Sequence, residues 1–189
     1  MHQGVINNLP QIPNLEHDST IFLTSGKRAL QSIAEALNPF FGISIRNARF
    51  DKEVAQLKRL NPLPADLLEC LSHFTALIER VLRLQNSQDH TPKNTVIQNF
   101  HITANELLSP MWQVIPESGK PMLPEMLYML RSLIELAELS FFHSLMENLA
   151  SPFACAYVVE EIPAADRKEG SAIRFRCEVT FARPPRRQT

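Results

Sequence analysis

The sequence predicts an α+β fold: about five helices around a long one at about 124–150, with a C-terminal antiparallel β-hairpin that one or two N-terminal strands extend. Three observations carry this. From about residue 25 to 150 the chain is Leu-rich, with apolar residues recurring at three- and four-residue spacing. From Ser151 onward there is no leucine, and Val, Ile, Phe and alternating Arg take over, a switch that favours sheet. The length, 189 residues and 21.5 kDa, suits one domain able to bury roughly 70% of its unfolded surface.

Residues 1–19, with Pro10, Pro13 and scattered polar groups, have no period and read as a loose or docked arm. A single domain then spans 20–183, and 184–189 form a disordered basic tail. Ile21-Phe22-Leu23 suits a short strand before a helix from Lys27 to Leu37, which Thr24 or Ser25 caps and Asn38-Pro39 stops. A second short strand fits Ile43-Ser44-Ile45. Asp51 suits the N-cap of a short helix that ends at Asn61-Pro62. Pro64 opens a clearer helix, in which Leu67, Leu71, Phe74, Ile78 and Val81 form a heptad-like stripe, and Gln85 to His90 reads as a polar loop. Thr91-Pro92 opens a further helix bearing Val96, Ile97, Phe100, Ala104, Leu107 and Leu108, with Pro110 as its stop.

Pro124 to Ala150 is the longest helix. Arg131, Glu135 and Glu138 mark a wet strip in its first half, and Ser140, His143, Ser144 and Glu147 lie on nearly the opposite side in its second. A helix this apolar needs cover from several neighbours. After it, Ile173, Phe175, Cys177, Val179 and Phe181 alternate with Arg174, Arg176, Glu178 and Thr180, the period of a strand with one buried face and one wet face. Its hairpin partner is Phe153 to Ile162.

Composition excludes several functions. Nineteen Lys and Arg against 20 Asp and Glu give a net charge of −1, a poor basis for general nucleic-acid binding. Met1 to Asn8 lack a secretory signal's basic start and apolar core, and Met122 to Ala150 is interrupted by charges, so a cytoplasmic protein without membrane insertion is expected. Cys70, Cys155 and Cys177 sit in apolar patterns and read as buried free thiols of a reducing compartment. A Cys155–Cys177 pair facing across the hairpin is the alternative. Gly26-Lys27 and Gly119-Lys120 lack the upstream glycine of a P-loop. No nucleophile elbow, dinucleotide fingerprint, His-Glu-x-x-His or Cys-x-x-Cys occurs. No catalytic residue, metal or cofactor is therefore assigned.

Weaker groupings remain. Glu69, Cys70 and His73 occupy one helical turn and would offer metal ligands, or else a core Cys beside a boundary His. His143 and Glu147 stand at i, i+4, as an acid/base couple or an ordinary helix pair. Arg183, Arg186 and Arg187 flank Pro184-Pro185 in the tail; with Arg174 and Arg176 they make the only basic surface expected. Met111, Trp112, Val114 and Ile115 lie in the Pro-bounded connector Ser109–Pro116, which reads as an apolar loop and a partner-binding prong, or as a closure of the core.

The leading expectation is a non-enzymatic protein that binds another protein or a second copy of itself. Adaptor, chaperone-like or small assembly subunit are the forms it would take; small helix-plus-hairpin adaptors of bacterial secretion systems offer an architectural analogy. The second expectation is an enzyme or ligand-binding domain with a dispersed site at His73, His143 and Glu147. The third is a weak nucleic-acid binder using the C-terminal arginines.

Overall fold

The computed structural model describes residues 9–44, 63–90, 95–103, 106–148, 155–171 and 173–181. The fold is α+β. Its helices are α1 (Leu15–Ala36), α2 (Asn38–Phe41), α3 (Ala65–His73), α4 (Thr75–His90) and α5 (Met122–Glu147). Its strands are β1 (Thr95–Gln98), β2 (His101–Ile102), β3 (Leu107–Leu108), β4 (Met111–Val114), β5 (Lys120–Pro121), β6 (Cys155–Glu161) and β7 (Phe175–Phe181). The chain divides into two compact units, Met1–Ala29 with Ala76–Arg131, and Leu30–Thr75 with Ser132–Thr189. No described helix is long and apolar enough to cross a membrane.

The first unit departs most from expectation. Between Thr95 and Leu108, where helical spacing predicts a helix, the chain forms β1, β2 and β3, and β4 follows at Met111–Val114. Thr95, Val96 and Ile97 are consecutive β-branched residues whose χ1 freedom a helix would restrict. β1 pairs antiparallel with β4, with Ile97 opposite Trp112, and β5 adds to the far side of β4. The connector read as a loop is thus a strand. Its alternation turns Trp112 and Val114 inward, with Met111 and Gln113 half-buried.

Trp112 has no exposed surface, and its companions in the unit's core are Leu23, Leu77, Ile78, Val81, Leu84, Met122 and Met129. A buried indole N–H needs an acceptor, and Trp112 donates to Glu125 on α5. Arg80 grips the same carboxylate in a fork, Nε to Oε1 at 2.8 Å and Nη2 to Oε2 at 3.2 Å. Its third nitrogen, Nη1, donates to Glu117 at 2.7 Å. Burial alone would raise the Glu125 pKa, but the bonds from Arg80 and Trp112 and the charges of Arg80 and Lys120 outweigh it, holding the carboxyl below its ordinary 4.5.

Of the stretch read as a loose or docked arm, residues from Leu9 onward are described, and helix α1 starts at Leu15, absorbing the expected Ile21–Leu23 strand. Asn99 clasps the segment before it: Oδ1 accepts the Ile12 N–H at 3.1 Å, and Nδ2 donates to the Ile12 carbonyl at 2.8 Å. Helix α4 continues through the expected Gln85–His90 loop. The Asp51 helix lies outside the described residues, as does Ile45; Ile43 and Ser44 are not in a strand.

In the second unit the α1 residues Leu30, Ile33, Ala34 and Leu37 are buried, as are Leu67, Cys70 and Leu71 on α3 and Leu133 and Leu136 on α5. Pro39 opens α2, and Gly42, at φ 60°, closes it in the left-handed conformation that favours glycine. β6 and β7 form the C-terminal hairpin in continuous register from Cys155↔Phe181 to Glu161↔Phe175. Val159 therefore faces Cys177, and Cys155 is not opposite it.

Two outcomes follow for the first unit. Trp112→Ala should lower unfolding stability by about 3–5 kcal/mol through cavity formation and the loss of one of the donors to Glu125, read as a shift in urea midpoint. The Glu125 contribution is complete above the ordinary carboxyl pKa and is lost as pH falls through the lower folded value. Glu125→Gln should therefore flatten the stability–pH curve on the acid side of 4.5 without steepening it near neutrality.

Candidate interaction surface

The second half of α5 and the hairpin build the most distinctive surface of the second unit. Arg174 precedes β7, its Nε 3.1 Å from Glu138 and its Nη1 3.2 Å from Glu135. Glu138 also accepts the backbone N–H groups of Arg174 and Phe175, the latter at 2.9 Å. The Phe175 ring stacks on Phe142 with centroids 4.8 Å apart and planes 28° from parallel, and the Arg174 guanidinium carbon lies 5.6 Å from the centre of the Phe175 ring. These contacts fix the base of the hairpin to α5.

Beyond that base Cys177 and Val179, on the apolar side of β7, are uncovered. Cys177 is exposed and Val179 keeps 49% of its surface in water, as Ile173 does 60%. Period-two alternation shows that a face is built for burial, not that the same chain supplies the cover. A groove of about 390 Å³ runs between α5 and the hairpin, with Ile134, Phe141 and Leu145 on one side and Val159, Ile173 and Cys177 on the other. Phe141 is 45% exposed, although its ring meets Phe40 edge-on at 6.1 Å. Helix α5 therefore buries one side and leaves another open. In the first unit its open side shows Leu123, Leu127 and Leu130, again spaced by four and three.

The expected prong and basic patch are placed differently. Trp112 is core and Val114 is buried, Met111 is half-buried, and of that group only Ile115 is exposed; a fully buried indole has no area to offer a partner. Arg174 is spent on Glu135 and Glu138. Arg176 is matched by Glu160 across the hairpin at 3.2 Å and by Glu178 along β7 at 3.1 Å. On the wet face of the last strand Arg176 is thus held between two carboxylates. Arg183, Arg186 and Arg187 lie outside the described residues.

The dispersed histidines do not converge on the groove. His73 is exposed with its ring edge-on to Phe74, and His143 is half-buried against Phe142; neither lines the groove, nor does Glu147. Among the described residues no three His, Cys, Asp or Glu side chains gather as a metal site. A cavity of about 480 Å³ in the first unit carries Arg80, Arg83 and Lys120 on its wall. Glu117 lies 2.5 Å from Arg83, and Glu125 lies 3.6 Å from Lys120, so these cations already face carboxylates.

Sequence reasoning missed Glu125 and Glu138 as anchors and Phe141 as a surface residue. Glu138 stood in the expected wet strip of α5. An available signal was Trp112, whose N–H demands a buried acceptor. Comparison with models of protein families, with curated proteins and with solved structures finds no match for this chain.

The cysteines differ sharply in environment. Burial, and then the charge of Glu135, pushes the Cys70 thiol up to about 11, whereas Cys177 stands in solvent. At pH 8 Cys70 should hold about 100-fold less thiolate than an ordinary thiol. Mass spectrometry after brief iodoacetamide treatment should find Cys177 modified and Cys70 intact until the chain is unfolded.

Proposed function

We propose that this chain is a non-enzymatic protein-binding module, an adaptor, chaperone-like or assembly subunit, whose docking surface is the groove between α5 and the β6–β7 hairpin. The observation that carries the reading is a hairpin fastened at its base by Glu138 and Phe142 while its apolar side stays open at Cys177 and Val179. Fixed, exposed apolar groups beside a shallow cleft suit a protein partner: the ordering cost falls on neither wall, and aromatic side chains such as Phe141 are enriched at the cores of protein interfaces. The matched carboxylates around Arg174 and Arg176 weigh against a phosphate backbone as the ligand.

The test is site-specific photocrosslinking in the native host. A benzophenone side chain at Phe141 should give one discrete protein adduct, reduced at least severalfold by Ile173→Glu. The same probe at Glu16, on the exposed start of α1, should give none. Equal labelling from both positions, or none from Phe141, would overturn the reading.

A further inference from the structure

The backbone of β7 shows which edge is available. Ile162 N–H donates to the Arg174 carbonyl at 2.7 Å, and Glu161 is opposite Phe175. Hydrogen-bonded pairs in this hairpin are therefore the even-numbered residues of β7. Phe175, Cys177, Val179 and Phe181 turn their N–H and C=O groups away from β6. The sheet is two-stranded, so no described strand accepts them. At Phe175 the outward N–H is already taken by Glu138 at 2.9 Å, so the open edge begins at Cys177.

We propose that a second copy of this chain occupies that edge, β7 pairing antiparallel with β7 of the other copy about a two-fold axis at Val179. The inference deepens the protein-binding reading and rests on it. Three symmetric registers are available near the middle of the strand, and two fail. Centring on Cys177 requires the Phe175 N–H that Glu138 holds. Centring on Glu178 sets two carboxylates directly opposite each other, a destabilising cross-strand pair. Centring on Val179 needs only the free edge. It places Glu178 opposite Thr180, sets the two half-exposed Val179 residues side by side and makes one four-stranded sheet with a continuous apolar side.

Charge favours the same occupant. The sequence after Phe181 carries Arg183, Arg186 and Arg187 and no acidic residue. Helix α5 carries Glu135, with 44% of its side chain exposed, so a second copy brings a basic sequence that is opposite in charge to an acidic group beside the hairpin.

The test uses the full chain in sedimentation equilibrium and in disulfide trapping. Wild type should show a concentration-dependent dimer. Val179→Lys, which sets like charges on the axis, should raise the dimer dissociation constant about tenfold or more with unchanged circular dichroism, since Val179 is half-exposed. Val179→Cys in a Cys155→Ser, Cys177→Ser background should crosslink to itself on mild oxidation, because a hydrogen-bonded pair on the axis holds its Cα atoms within disulfide reach. A chain that stays monomeric and uncrosslinked overturns the self-pairing while leaving the Phe141 adduct test untouched. Crosslinking of the wild type through Cys177, without crosslinking of the Val179→Cys variant, overturns the register. A foreign protein crosslinked at position 179 of a monomeric chain overturns the occupant. Loss of both the dimer and the Phe141 adduct removes the protein-binding reading itself.

Discussion

The Glu138 carboxylate holds the second unit's hairpin to its helix. Its side chain is only 13% exposed, an environment that disfavours a charge unless partners replace the lost water. Two successive backbone N–H groups and the Arg174 guanidinium do so. The same contacts satisfy donors that the start of β7 cannot give to β6. Phe175 then sits on Phe142, and the groove has two walls instead of one. Without that carboxylate the strand would begin with unsatisfied donors, and the stacking of Phe175 would have to hold the hairpin alone.

The first unit uses the same helix and the same residue type to a similar end. Glu125 gathers the Trp112 indole, the Arg80 fork and the Lys120 charge, so two strands and a helix converge on one acceptor. Each glutamate is a small charged island whose cost is offset by charge-assisted bonds of fixed geometry. This constrains what can replace them. A hydrophobic residue would remove the desolvation cost, but it would leave N–H groups buried without acceptors.

Much of this architecture was legible in the sequence where a regular period ran long enough. The stripe from Leu67 to Val81, which the chain divides between α3 and α4 at Phe74, and the apolar stretch centred on Leu133 and Leu136 specify helices and their inward sides. The alternation from Ile173 to Phe181 specifies a strand and its apolar side. Legibility failed between Thr95 and Val114. Strands of two to four residues separated by bends happened to place Ile97, Phe100, Ala104 and Leu107 at helical spacing, and Trp112 in a Pro-bounded segment resembled a loop. The site was less legible than the fold for a different reason. Glutamates on an apolar helix look solvated in a linear sequence, and only the tertiary arrangement shows which of them are acceptors. Alternation, likewise, marks Cys177 and Val179 as groups that belong out of water without saying whose surface covers them.

The hairpin's two sets of ion pairs also differ in how far water reaches them, and that difference sets the response to ionic strength. The Glu160–Arg176–Glu178 lattice is about half-exposed, so added electrolyte screens it strongly. The Glu138 anchor, largely shielded, is screened far less. In a dilute medium Arg176 is held to both carboxylates; in a concentrated one those exposed pairs weaken while the Glu138 anchor persists. The hairpin is thus salt-sensitive on its wet face and salt-insensitive where it meets α5.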